Sequence, residues 1–465
     1  MGPIERLSVL DQLMLWASRR WPQHIGALLI LEGEPLLDAA GELRIQELRE
    51  RVASRLHLVP RFRQLILRPR RGLGGPLWVD APAFDVARHV RQMRLEPPAS
   101  EAELVAAIEG LLLAPMDPGQ PLWDMRFVVG LPERRIAVLL RIHHSIADGM
   151  AAMRTVTRFL DSSPEAPTQA APPWRPDAPP SSRALLGDNV RRRLRGIGSS
   201  LAPLTRPRAT LRTVRAAWPA IREILAEEPA TATSLDRMVG ERRRIALIRS
   251  DLSTVRAIGR RHDATVNDVL LSITTAGMRE VLLARGEAVD GTTIRIYVPV
   301  SLRRHLHGRQ EGNLIAQMAV PLRMGLADSE RRLDAIAAET RQRKLRARTS
   351  LSNLMVGGTI GRRLLLFAVM RQRVNATSAS IPGPKQPLYL AGAQVLEVFP
   401  LLPLVANEPL GIGALSYAGA LTIAIVADRD AFPDFEALGA AVSNELRSLT
   451  EQPVAAPSRR VATAT

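Results

Sequence analysis

The chain has 465 residues, no cysteine, 46% hydrophobic residues and a formal net charge of +17, with Arg greatly outnumbering Lys. That length predicts two domains with a sizeable core, and the absence of cysteine excludes disulfides, thiolate metal sites and a cysteine nucleophile. The charge implies attraction to anionic lipid or a phosphate-rich small molecule. Aromatics, at 4% of residues, are too few among the basic positions to suit a nucleic-acid binder.

Glu5 and Asp11 stand where a signal peptide would need a basic and then an apolar stretch. Leu364 to Met370 is among the longest apolar runs and is too short for a membrane span, so the expectation is a cytoplasmic protein. The spacing predicts a helix over Leu7–Trp21, a strand over His24–Leu31 and an amphipathic helix over Leu43–Leu56. Glu101–Leu113 reads as a helix. Pro121, Leu122 and Trp123 lead into a strand at Met125–Val129, and Trp123 reads more readily as core than as a site residue. A turn at Gly130–Glu133 pairs that strand in a hairpin with Ile136–Ile142.

The second strand of the hairpin ends in RIHHSIADG. His143 and His144 are followed by Asp148 and Gly149, and then by a helix over Met150–Leu160. A strand-to-helix connection can present such side chains to a cleft. A histidine titrating near neutrality can take a proton from a hydroxyl and return it to a leaving group. The competing explanations are a merely structural histidine pair or a metal site. Adjacent imidazoles diverge on most backbones and no HxxxH or Cys set accompanies them, so no metal is expected.

Asp161–Pro180, rich in Pro, Ala and Ser, reads as a linker, and Arg191–Arg222 alternates Arg with apolar residues as in a solvated or lipid-facing helix pair. The second half opens near Ser234. Arg243–Ile248 is expected to be a strand and Leu252–Arg261 a helix. A long apolar helix follows, with Asn267 and Asp268 in its first turn, where such residues commonly cap. Strands are expected at Thr293–Val300, Leu314–Leu322 and Leu421–Ala427, and helices at Ala327–Arg348 and Phe435–Leu449. A tight turn is expected at Ala379–Pro384. The domain expectation is 1–160, a crossover over 161–233, a second half over 234–452, and a disordered tail from 453. No P-loop, GxGxxG or GxSxG is found.

Taken in order, HHSIADG, PLWDMRFVVGL, TVNDVLL, VPVSLR, a GN before a strand, SIPGPKQPLYLAG, LSYAG and ADRDAFPD resemble the bacterial wax ester synthase/acyl-CoA:diacylglycerol acyltransferase family. HHxxxDG alone is shared with condensation domains and other CoA-dependent acyltransferases; the remaining motifs narrow the resemblance. It implies an α/β, chloramphenicol acetyltransferase-like fold of two halves, each a mixed sheet with helices, with a channel between them.

The resemblance also implies that His144 is the general base, with His143 and Gly149 in the same loop. Asp148 would be structural and paired with Arg303. Asn267 and Asp268 would support the site from the second half, and Pro121, Leu122 and Trp123 are candidates to line the channel. No cofactor is implied. Acyl-CoA would be the acyl donor, and diacylglycerol or a long-chain alcohol the acceptor. Peripheral contact with an anionic membrane's inner face or a lipid droplet is expected. Where relatives read SNVPGP, this chain has Ser380 in place of Asn. A carrier-protein-dependent condensation-type or polyketide-lipid acyltransferase, or a non-catalytic lipid-binding scaffold, are the alternatives.

Overall fold

The computed structural model describes residues 4–147, 149–167, 170–205, 215, 230–301, 315–356 and 374–451. The first half runs through α1 (Val9–Ala17), β1 (His24–Glu32), α2 (Ile45–Arg55), β2 (Gln64–Leu67), β3 (Leu77–Asp80), α3 (Val86–His89), β4 (Val90–Arg94), α4 (Glu101–Leu113), β5 (Trp123–Val129), β6 (Arg135–His143) and α5 (Gly149–Arg158). After the Pro-rich stretch comes α6 (Ser182–Thr205). The second half holds β7 (Arg243–Asp251), α7 (Leu252–Arg261), α8 (Val266–Ala284), β8 (Thr293–Ser301), β9 (Ile315–Arg323), α9 (Ser329–Val356), β10 (Ala376–Pro382), β11 (Tyr389–Leu390), β12 (Ala393–Leu401), β13 (Leu410–Tyr417), β14 (Ala420–Asp428) and α10 (Phe435–Glu451).

Local chemistry starts several of these elements where the sequence says they should start. Capping boxes open α1 at Ser8 with Asp11, α4 at Ser100 with Glu103, and α8 at Thr265 with Asp268. The hairpin of β5 and β6 forms as expected, antiparallel, with Asp124 opposite Arg141. Two expectations need correction. Ala379–Pro382 is not a turn but the end of β10, with Ser380 paired to Ala414 of β13; the chain bends only afterwards. The bend needs Gly383, because a Cβ there would sit 2.4 Å from the Ser416 carbonyl oxygen.

The second correction concerns the halves. The first sheet has the strand order β11-β12-β1-β6-β5-β4, and the second β7-β14-β13-β10-β8-β9. Residues 389–401 therefore cross from the second half into the first sheet, where β12 lies antiparallel to β1. The linker is likewise anchored at its start. Asp161 is buried, accepts hydrogen bonds from Arg51 and Arg55 of α2, and exchanges two backbone bonds with Tyr389.

One face of the first sheet buries Trp123, Met125, Phe127 and Leu140 against α2 and α5. The other packs Leu28, Ala137 and Leu139 against α4 and against Ile245, Ala424 and Val426 of the second half. Polar bonds pin this second interface. Trp21 Nε1 donates to the Val239 carbonyl at 2.9 Å, and Ile245 N donates to Glu109 Oε1 at 2.8 Å. Arg249 bridges Glu101 and Glu397. Tyr417 of the LSYAG motif fastens the crossing segment, accepting from Leu388 N at 2.7 Å and donating to the Val395 carbonyl at 2.9 Å. No helix among the described residues is long and apolar enough to cross a membrane.

Candidate active site

The His loop begins where β6 ends, and β6 is held rigidly. Its residues Ile136–His143 are all buried, as expected for a central strand with neighbours on both sides. Two residues before His143, Arg141 is 1% exposed and paired with Asp124, its Nε lying 2.8 Å from Oδ1. The same guanidinium donates to the carbonyls of Leu111 and Ala114, satisfying the C-terminal end of α4. Asp124 is the fourth residue of the PLWD motif, so that motif bolts the histidine strand to α4. Among the neighbours, Leu122 accepts from His143 N at 2.9 Å and Gln23 from His144 N at 2.8 Å.

The two imidazoles have different surroundings. His143 is buried, and its ring nitrogens are both engaged: Nε2 lies 2.7 Å from Ser18 Oγ, and Nδ1 2.8 Å from Ser145 Oγ. Ser145 N also donates to Nδ1 at 3.0 Å, which makes Nδ1 an acceptor and assigns the ring proton to Nε2. Desolvation, followed by the proximity of His24 and His144, pushes His143 down to about 3. His24, across the strand pair with ring centroids 6.1 Å apart, is pushed to about 4 by burial and by Arg141. Both are neutral near pH 7. His144, by contrast, is partly exposed on the turn just beyond.

Around the loop the two halves meet. Ala147 is buried in one cluster with Ile381, Leu415 and Tyr417, which come from the ends of β10 and β13. Gly149 opens α5. Asp148 and Arg303 lie outside the described residues. Asp268 is 2% exposed and accepts from Thr265 N at 2.8 Å and from Thr340 Oγ1 at 2.7 Å, tying the start of α8 to α9. Asn267, next to it, keeps its Nδ2 buried without a hydrogen-bond partner among the described residues. Pro121, Leu122 and Trp123, the candidates for lining a channel, lie at and just before the start of β5, which pairs with β6. All three are buried, and Trp123 stacks on Phe62 and His89 while donating Nε1 to the Phe62 carbonyl at 2.9 Å. Their contribution is to seat the strand under His143. Ser18, Gln23 and His24 escaped the sequence reading because nothing local links them to a loop more than a hundred residues away.

Residues 7–270 match the family described as the wax ester synthase/diacylglycerol acyltransferase catalytic domain, and residues 311–450 the C-terminal domain of the same family. A probable diacylglycerol O-acyltransferase of Mycobacterium tuberculosis is 30% identical over 465 residues, covering 96% of each chain. Among solved structures, the wax ester synthase/diacylglycerol acyltransferase of Marinobacter aquaeolei VT8 is similar with a TM-score of 0.67 at 22% identity, covering 96% of this chain and 98% of that one. The first condensation domain of the calcium-dependent antibiotic synthetase is similar with a TM-score of 0.60 at 15% identity, covering 98% of both chains. The last two likenesses concern the fold.

Proposed function

The chain belongs to the wax ester synthase/diacylglycerol acyltransferase family and is an acyltransferase, and from that premise we propose that it moves a fatty acyl group from acyl-CoA to the hydroxyl of diacylglycerol or a long-chain alcohol, with His144 as the general base. The observation that carries the assignment is the division of labour in the His loop. His143 has both nitrogens committed and is held neutral far below its ordinary range, whereas His144 is the partly exposed imidazole beside it. An alcohol titrates far above neutrality and needs a base as it attacks.

In the proposed reaction the His144 imidazole takes the hydroxyl proton while the hydroxyl oxygen bonds to the thioester carbon. The carbonyl electron pair moves onto oxygen. Asn267 Nδ2, buried and unspent among the described residues, supports a role as a donor to that oxyanion. Collapse of the tetrahedral species breaks the carbon–sulfur bond, and the CoA thiolate leaves with the proton returned from the imidazolium. The ester is formed without an acyl-enzyme and the scheme invokes no cofactor. The same reading places the protein in peripheral contact with anionic membrane or a lipid droplet, where its acceptors dissolve.

The test is steady-state release of CoA by purified protein given one acyl-CoA and, separately, diacylglycerol and hexadecanol. Turnover with either acceptor and its loss in His144→Ala support the proposal. Turnover only with a carrier-bound acyl group would move the protein to the condensation-type class.

A further inference from the structure

The large hydrophobic side chains that stand exposed in the described chain fall mainly on two helices: Leu13 and Trp16 on α1, and Leu186, Val190 and Leu194 on α6. Trp16 and Leu194 are 63% and 62% exposed. A spacing of three on α1 and of four on α6 puts each set on one helical face. On α6 that face is turned away from the protein, because the opposite side is fastened down. Leu185 is buried, Asp188 accepts from Arg6 Nε at 2.7 Å, and Asn189 Nδ2 donates to the Gly72 carbonyl at 2.7 Å. Arg6 also donates to the Leu185 carbonyl, and Arg192 to that of Ile4, so α6 sits on the segment that leads into α1.

Clustered apolar side chains on a protein surface mark a contact. The charge around these says with what. Arg183, Arg191, Arg193 and Arg195 are exposed on α6, as are Arg19 and Arg20 just after α1. The acidic Asp188 in their midst is already spent on Arg6 and Arg192. An apolar stripe fringed by arginine is complementary to an anionic lipid surface: acyl chains for the stripe, phosphates for the fringe.

We propose that the exposed apolar faces of α1 and of α6, which is fastened to the segment leading into α1, form the surface on which the protein lies on anionic lipid. Leu13, Trp16, Leu186, Val190 and Leu194 enter the headgroup–acyl boundary and the arginines meet the phosphates. The inference rests on the reading of the protein as an acyltransferase with lipid-dissolved acceptors and adds where the lipid is met. It also connects the surface to the chemistry. Ser18, which holds His143, lies two residues after Trp16, about 3 Å along a helix axis. The end of α1 that meets lipid is therefore joined to the His loop through Ser18.

Flotation of the full chain with vesicles of phosphatidylcholine alone, or with phosphatidylglycerol added, tests the proposal without substrate. The wild type should float with the anionic vesicles and progressively less as salt rises. Leu186→Glu/Leu194→Glu and, separately, Trp16→Glu should each lower recovery by about tenfold, while Met238→Glu, exposed elsewhere, should not. CoA release with hexanol, a soluble acceptor, should stay within about twofold of wild type in Leu186→Glu/Leu194→Glu, showing a folded protein. Flotation lost in the variants while the wild type releases no CoA with hexanol, hexadecanol or diacylglycerol would sink the catalytic reading and leave the surface standing. Wild-type recovery in the helix variants, or no flotation of the wild type, would overturn the surface. So would a lipid-free dimer, by light scattering, that Leu194→Glu dissociates.

Discussion

Ser18 Oγ stands 2.7 Å from Nε2 of His143, at the far end of a separation of 125 residues. With Ser145 on the other nitrogen, this contact converts the first histidine of HHxxxDG into a fixed, neutral strut. The strut sets the position of the turn on which His144 sits.

His144→Ala should therefore lower ester formation by about a hundredfold to ten-thousandfold with the fold intact. His143→Ala should be the less active-site-specific lesion, losing stability and a smaller share of turnover. The comparison needs CoA release and thermal unfolding on the same preparations. Equal turnover in His144→Ala and wild type would end the general-base assignment.

Acid should destabilise the protein through His24 and His143. Their folded values of about 4 and about 3 lie below the unfolded value of 6.5, so between these limits the unfolded chain binds more protons. Their contribution is complete above pH 6.5 and is lost as pH falls toward 3. Glu408 acts oppositely: desolvation raises it from 4.5 to about 7, so it favours the fold at low pH and loses that effect as pH rises through 7. Denaturant unfolding across pH should show His143→Gln with a shallower dependence than wild type. The difference in slope should be about 1.4 kcal/mol per pH unit between roughly 4 and 6.

Asp124→Ala leaves the Arg141 guanidinium buried without its carboxylate and should cost about 3–5 kcal/mol. Replacing both partners, as Asp124→Leu/Arg141→Met, should cost less than the sum of the single changes. A strictly additive thermal-melt cycle would count against the pair as the bolt between β6 and its neighbours.

Asn267 and Asp268 are adjacent and should respond differently. Asp268→Ala removes the capping box of α8 and the bond from Thr340, so about 1–3 kcal/mol of stability should go, with kcat of the folded fraction changed by less than about threefold. Asn267→Ala breaks no hydrogen bond of Nδ2 among the described residues and should instead lower kcat by about tenfold to a hundredfold. A stability loss shared equally by both variants would contradict the oxyanion role.

Asp148 and Arg303 lie outside the described residues, and their pairing is a proposal from family resemblance. Each single neutral substitution should cost stability or turnover, and the double substitution less than the two together. Additive effects in a melt cycle would argue that they do not meet.

The sequence by itself determined the order of most elements, the two-half α/β architecture through its motifs, and the loop that carries the histidines. These are local properties: the continuous apolar run of β6, the helical apolar spacing of α4 and α7, and the polar Asn267 and Asp268 in the first turn of α8. Glu101–Leu113 and Leu252–Arg261 begin and end where the periodicity puts them. What depended on distant partners was not legible. β12 becomes a strand of the first sheet because β1 offers it an edge, and β10 stays extended through Ser380 because β13 pairs with it. Nothing within SIPGP records that pairing. In the same way HHxxxDG does not say which histidine is spent on structure. Only the arrival of Ser18 at one ring nitrogen, together with burial beside His24, decides it, because a hydrogen bond and the loss of solvent are properties of the folded environment and not of the residue.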